Sequence, residues 1–292
     1  MHGLLSFPHL VKDCGLLISQ TKSELRRLNL RARKGLGQHF LVDEQVLRGL
    51  ISAVALTPGD TVIEVGPGMG ILTRELAKGA DRVIAVEIDT TMAAALREAL
   101  VPLPNVTIIN ADILESDPLL LLGVKTTYKV VGTLPYYIAT AVIRHFLEAQ
   151  IKPISIVVTV QKEVAQAIAA PVGKMSLLSV SVQLYGKPTI VDYIPPQSFY
   201  PPPKVDSAIV RVDVYERPLI AIDDEATFFS VVRGGFSAPR KQLRNSLALG
   251  LEMSTGEATS LLEDAGIEQK RRAETLNLEE WARVYQVFVE RQ

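Results

Sequence analysis

From Thr61 to Val160 the chain repeatedly alternates short runs rich in valine and isoleucine with stretches of helical spacing. The runs are Thr61–Val65, Arg82–Ile88, Val106–Asn110, Tyr128–Val131 and Ile154–Val160; between them lie Ile71–Lys78, Thr91–Leu100 and Ala139–Ala149. A strand that returns to its sheet through a helix must pair in parallel, with a right-handed crossover and helices on both faces. The alternation therefore predicts a doubly wound, mainly parallel α/β sheet. Two later β-rich segments, Leu178–Tyr185 and Ala208–Tyr215, flank the proline-laden stretch Pro195–Pro203 with no helical pattern between them. They are expected to form an antiparallel pair at the sheet edge.

Past Arg217 and Pro218 the pattern is helical only: Glu225–Gly235, Pro239–Leu249 with Gly250 behind it, Glu257–Ala265 closed by Gly266, and Leu278–Val289. Proline at a first turn and glycine past a last turn are helix boundaries. This predicts three segments: an extension over 1–20, the α/β domain over 21–217 and a small all-helical domain over 218–292. Asp43 is the expected N-cap of a helix carrying Val46, Leu47, Leu50, Ile51 and Val54 at helical spacing, and the leucine run Leu119–Leu122 is expected to seal the core. Residues 1–20 lack the basic start and long apolar centre of a secretory signal.

Composition excludes several classes. One cysteine and four histidines leave no disulfide and no metal-ligand spacing, so no metal is expected. No run approaches the ~18 to 20 apolar residues of a bilayer crossing, and the expected location is the cytoplasm. Lysine and arginine number 31 against 32 acids. A nucleic-acid partner would therefore have to be held by local basic clusters.

The first strand of the alternation runs into Glu64-Val-Gly-Pro-Gly-Met-Gly70, where ligands meet a doubly wound sheet. Glycines at 66, 68 and 70 miss the dinucleotide spacing, whose third glycine would fall at Ile71, and no P-loop lysine follows. The next strand ends in Glu87-Ile88-Asp89, placing an acid where a carboxylate accepts ribose hydroxyls. One strand further, Asp112, followed by Ile113, offers a second acid to an adenine amine. The plainer reading is that both acids cap the following helices. In register with the glycine turn, they specify an adenosine-bearing cofactor without a pyrophosphate, for which S-adenosylmethionine is the natural candidate.

Thr133-Leu-Pro-Tyr136 follows the strand at Tyr128–Val131, on the same rim. Pro135 forces an extended turn that exposes the preceding carbonyls and leaves Tyr136 to line a pocket. Such acceptors suit an exocyclic aromatic amine, whose lone pair is delocalised into its ring. The site would act by holding that nitrogen in line with a methyl sulfonium, at ~3 to 3.5 Å, without a metal. Farther on, the stiff loop Gln197–Ser207 carries Phe199 and Tyr200, either a platform for a flipped base or simply a rigid connection.

The strings Lys34–Leu41, Glu64–Gly70, Val86–Asp89, Asn110–Asp112, Leu134–Tyr136 and Phe199–Ser207, in this order, resemble the ribosomal RNA adenine dimethyltransferase family. Phe236–Leu247 resembles the C-terminal helix motif of its small-subunit branch, the KsgA type. The resemblance implies a Rossmann-like methyltransferase sheet and cofactor contacts at His39, Leu41, Gly66, Glu87, Asp112 and Thr133; Gly68, Gly70, Ile88 and Ile113 are grouped with them. It implies target-base contacts at Leu134, Tyr136 and Phe199, with Thr133 and Pro135 grouped with them as catalytic candidates, and double methylation of two adjacent adenines in small-subunit RNA; the expected substrate form is a pre-assembled 30S particle, the expected cofactor product S-adenosylhomocysteine and the expected state a monomer. Where the family usually has asparagine this chain has Thr133, whose shorter hydroxyl must also satisfy its own proton, implying reduced or retuned transfer. At His39 asparagine is also common.

Arg233, Arg240, Lys241 and Arg244 recur at helical spacing and predict a phosphate-following stripe. Lys270, Arg271 and Arg272 form a second basic knot, and Lys204 and the arm residues Arg31, Arg33 and Lys34 are further candidates for RNA contact. Two other readings remain open here: an assembly factor of the same fold with weak activity, and a large-subunit RNA adenine methyltransferase.

Overall fold

The computed structural model describes residues 14–27, 37–123 and 127–292. Helix α1 (Cys14–Arg27) comes first, followed by the short strand β1 (Phe40–Leu41) and α2 (Glu44–Val54). The alternating region supplies β2 (Thr61–Val65), α3 (Ile71–Gly79), β3 (Arg82–Glu87), α4 (Thr90–Ala99), β4 (Val106–Asn110), α5 (Pro118–Leu122), β5 (Lys129–Thr133), α6 (Ala139–Leu147) and β6 (Ser155–Gln161). Then come α7 (Lys162–Ile168), α8 (Leu177–Gln183), β7 (Gly186–Ile194), β8 (Phe199–Tyr200) and β9 (Ser207–Val214). The chain closes with α9 (Glu225–Phe236), α10 (Leu243–Gly250), α11 (Thr255–Asp264) and α12 (Leu278–Glu290).

The main sheet is seven-stranded, in the order β4-β3-β2-β5-β6-β9-β7. The first five of these run parallel and the last two antiparallel. Strand order reverses between β2 and β5, so the carboxyl ends of these strands open a crevice, the usual ligand position in a doubly wound sheet. Val62, Ile63, Val83, Ile84, Val130, Val131, Ile156 and Val157 are fully buried, as strands covered on both faces require.

The antiparallel edge is present, but one strand lies later than the sequence predicts. Leu178–Gln183 is helical within α8, and β9 pairs instead with β7. Ser176 and Ser179 form a reciprocal capping box that starts the helix. Ser179, Val180, Ser181 and Val182 are all buried, which erases the one-sided pattern that marks a surface helix. In the second half, α10 begins at Leu243 rather than at Pro239. Of the leucine run, Leu122 is buried while Leu120 is 81% exposed.

One continuous cluster of buried side chains runs from Val130 and Val158 through Phe146 on α6 and Val180 on α8 to Phe228, Leu247, Leu261 and Trp281. The C-terminal helices are tightly crossed: a Cβ on Gly250 would lie 2.4 Å from Gly234 Cα, so α9 and α10 meet backbone to backbone. At the other end, Leu25 of α1 packs with Phe40, Met92, Leu96 and Leu100, and Lys22 Nζ sits 4.9 Å above the Tyr200 ring.

Beside the sheet, β1 pairs antiparallel with β8, Phe40 opposite Tyr200 and Leu41 opposite Phe199. Val42 N–H donates to Ser198 O at 2.9 Å and the Ser198 hydroxyl to Asp43 Oδ2 at 2.7 Å. Asp43 also caps α2, accepting from the Gln45 and Val46 amides. The N-terminal arm and the proline loop are thus stitched together above the crevice.

Candidate active site

The crevice is a pocket of about 160 Å³ whose walls come from every motif of the rim. His39 and Leu41 line it from the arm, Gly66 and Gly68 from the turn after β2, Glu87 and Ile88 from the end of β3, Asp112 and Ile113 from the end of β4. Thr133, Leu134, Pro135 and Tyr136 follow from β5, and Phe199 from the loop. Gly70 does not reach the pocket: it is the N-cap of α3, with φ +72°, and a Cβ there would meet Leu96 Cδ2 at 2.9 Å. Its glycine serves the turn and the packing against α4.

The turn itself is built by backbone handedness. Gly66 and Gly68 have φ of +67° and +55°, a region that costs other residues ~1 to 2 kcal/mol. A Cβ on Gly66 would meet nothing within 4 Å, so the absent side chain leaves open space, while one on Gly68 would press on Phe40 at 3.2 Å.

Two acids are buried beside the turn, of which Glu87 lines the pocket and Glu64 does not. Glu87, 4% exposed, accepts from the Asp89 amide on Oε1 at 2.9 Å and from the Gly68 amide on Oε2 at 3.3 Å. Burial pushes its carboxyl above the usual range, against those amides. Glu64, near the end of β2, is pushed up to about 8, chiefly by burial, and the charge of Glu87 adds to the rise. Glu64 Oε2 and Thr73 Oγ1 are both buried without a hydrogen-bond partner among the described residues. Asp112 Oδ1 caps the short helical turn at Ile113–Glu115 by accepting from the Leu114 amide at 2.9 Å, and the residue also lines the pocket.

On the reacting side, Leu134 turns its side chain into the core at 3% exposure, so only its backbone can serve a ligand. Tyr136 is half-buried; its hydroxyl lies 2.6 Å from Ser207 Oγ, and its ring stacks on His39 with centroids 5.8 Å apart. Phe199 is 4% exposed and packs with Leu41 and Leu47, which makes it a wall more than an open platform. The exposed aromatic at the mouth is Tyr137, at 61%, a residue the sequence reading passed over. Thr159, buried on β6 and in register with Thr133, also lines the pocket and was passed over. Its only signal was a hydroxyl amid a valine-rich strand.

The proposed basic stripe is rearranged. Arg233 lies on α9, while Arg240 and Lys241 precede α10, so they share no helix face with Arg244. Arg240, Lys241 and Lys204 are exposed. Arg244 is drawn inward: Nη1 donates to Gln269 Oε1 at 2.9 Å and Nε is buried without a partner among the described residues. In the second knot, Arg271 holds Glu280 through both terminal nitrogens and also donates to Thr275, leaving it committed to the fold. Arg31, Arg33 and Lys34 lie outside the described residues. Among the described residues there is no cluster of histidine, cysteine or acids suited to a metal, and no helix long and apolar enough to cross a membrane.

A glycine turn, acids on successive strand ends and the Thr133–Tyr136 turn meet on one rim of a sheet of the α/β methyltransferase class. The family model for ribosomal RNA adenine dimethylases matches residues 29–289. The chain belongs to that family. It is 50% identical, over 94% of both chains, to a protein of Dehalococcoides mccartyi named ribosomal RNA small subunit methyltransferase A. Among solved structures it resembles the 23S rRNA methyltransferase ErmE, with 30% identity, a TM-score of 0.67, and coverage of 85% of this chain and 98% of that one. The fold also matches a dimethyladenosine transferase from Plasmodium falciparum at 23% identity and a TM-score of 0.74, over 86% and 98% of the two chains.

Proposed function

We propose that this protein transfers methyl groups from S-adenosylmethionine to the N6 amines of two adjacent adenosines in small-subunit (16S) ribosomal RNA, giving dimethyladenosine and S-adenosylhomocysteine. The observation that carries the reading is the single pocket in which the glycine turn and its acids meet Thr133–Tyr136. The relative at 50% identity bears a small-subunit methyltransferase name, which favours this over large-subunit RNA.

The residues present fit the cofactor. The open cradle at Gly66, the carboxylates of Glu87 and Asp112, and the apolar cover of Ile88 and Ile113 match an adenosine, with His39, Leu41 and Gly68 closing the amino-acid end. When bound, the cofactor supplies an electrophilic methyl group. The chain's part is placement: the Thr133 hydroxyl and Leu134 carbonyl accept the N–H bonds of the amine, Pro135 holds the turn extended, and Tyr136 and Phe199 wall the base. Fixing a nucleophile in line removes an entropic barrier that side-chain acid–base chemistry would not.

In the same reading, residues 21–217 carry the chemistry and 218–292 meet RNA through Arg240, Lys241 and Arg244, with Lys204 and Arg31, Arg33 and Lys34 on the other side. The substrate is RNA within a pre-assembled 30S particle, and the protein acts as a monomer in the cytoplasm. The test is incubation with labelled cofactor and unmethylated small subunits, followed by mapping of the methyl groups. Label on two neighbouring adenines is the expected result. Tight particle binding without label overturns it in favour of an assembly factor; label confined to large-subunit RNA overturns the substrate.

A further inference from the structure

Tyr136 is gripped at both ends by residues far away in the chain. Its ring lies nearly parallel to the His39 imidazole, at 24° between planes, and its hydroxyl shares a 2.6 Å hydrogen bond with Ser207. Ser207 is fully buried at the start of β9, held opposite Gln161 of β6 by the sheet. His39 is itself fixed, because Nδ1 lies 2.6 Å from Pro201 O. A carbonyl only accepts, so Nδ1 donates this bond and the plane of the ring is set by the loop.

Packing alone does not account for this. A half-buried tyrosine on a pocket wall keeps rotameric freedom, and a ring held at one point can still swing. Contacts at both ends remove that freedom, and they do so from the arm and from the sheet together. The Pro201 bond also links the imidazole to the loop that carries Phe199, so both aromatic walls answer to one residue.

We propose that His39 and Ser207 are positioning residues that lock the Tyr136 ring, setting the angle at which the target base meets the methyl donor. The proposal rests on the reading that Tyr136 faces the target adenine. An amine that reacts only in line is sensitive to tilt of its base, so losing the Ser207 bond, which lies outside the donor's contacts, lowers turnover while leaving donor affinity alone.

The experiment is a double-mutant cycle with Ser207→Ala and Tyr136→Phe, measuring kcat and KM on small subunits and donor affinity by calorimetry. Each single variant is expected to lose about fivefold to tenfold in kcat, from the loss of one hydrogen bond. The double variant is expected to match the singles, since all three lack the same bond, with donor affinity within about twofold. Unchanged kcat in Ser207→Ala, or losses that multiply in the double variant, overturn the lock. A second readout needs no turnover: in protein with labelled tyrosine, the Tyr136 ring resonances should shift in His39→Ala and average in Ser207→Ala. Ring signals identical to those of the unaltered protein overturn the lock. Absence of methyl transfer by the unaltered protein defeats the functional reading instead and leaves the ring signals to decide.

Discussion

Thr133 stands directly opposite Thr159 on the parallel strands β5 and β6, and both residues border the same pocket. In-register residues of a parallel pair point to the same side of the sheet, so two hydroxyls lie side by side on the wall where the proposed reaction places its amine acceptor. A hydroxyl must place its own proton before both lone pairs are free, whereas an amide oxygen accepts with no such demand. Thr133→Asn is therefore expected to preserve turnover or raise it, by up to about fivefold for one improved hydrogen bond of ~1 kcal/mol. Initial rates with labelled donor at saturating RNA measure this. A clear fall would show that the amine is accepted elsewhere.

Glu64 makes stability depend on pH. Burial lifts its carboxyl from 4.5 to about 8, so in the folded protein it holds a proton that the unfolded chain releases. Its contribution is fully present below about pH 4.5 and is lost as pH rises to about 8, at roughly 1.4 kcal/mol for each pH unit. Glu64→Gln keeps a neutral side chain at every pH. Denaturant melts from pH 5 to 9 should show the variant gaining on the parent by a few kcal/mol up to about pH 8 and then running parallel. Parallel profiles over the whole range would mean that Glu64 is ionised in the fold.

What could be read from the residues and what could not divides along physical lines. The glycine turn and both acids were legible because strand, turn and ligand group are adjacent in the chain. The strand at 186–194 was not: it carries Pro188 and a largely exposed face, which an edge strand tolerates and a central one does not. The neighbouring run Leu178–Tyr185 is the more β-like by composition and is mostly helix, since tertiary burial on all sides overrides its β-branched residues. Tyr136 and Ser207 are 71 positions apart and His39 and Pro201 are 162 apart, separations that no local pattern reports. The basic residues misled for another reason: periodicity cannot tell a lysine in water from Arg271, which is consumed by Glu280.

Tyr137 offers the exposed ring that Phe199 does not. At 61% exposure on the pocket mouth, and packed near Gly37, it is placed to stack a nucleotide flanking the one in the pocket. Base stacking on an aromatic is worth ~1 to 3 kcal/mol. Tyr137→Ala should weaken RNA binding between about fivefold and a hundredfold, with Tyr137→Phe close to the parent. Filter binding with small subunits decides it, and equal affinity of the alanine variant would remove Tyr137 from the interface.

The rearranged basic residues make a sharper prediction than a uniform stripe would. Arg240 and Lys241 are exposed and lie between α9 and α10, while Arg244 spends its charged end on Gln269. Each lysine or arginine that neutralises a phosphate releases a counterion, so log affinity falls with log salt in proportion to their number. Replacing Arg240 and Lys241 together by alanine should flatten that slope by about 1.5 to 2. Arg244→Ala should leave the slope nearly unchanged and lower the melting temperature instead, because the side-chain oxygen of Gln269 loses its nearer donor within the helical packing and keeps only the Thr259 hydroxyl at 3.4 Å. A slope that responds to Arg244 as strongly as to Arg240 would mean that its guanidinium leaves Gln269 for the RNA.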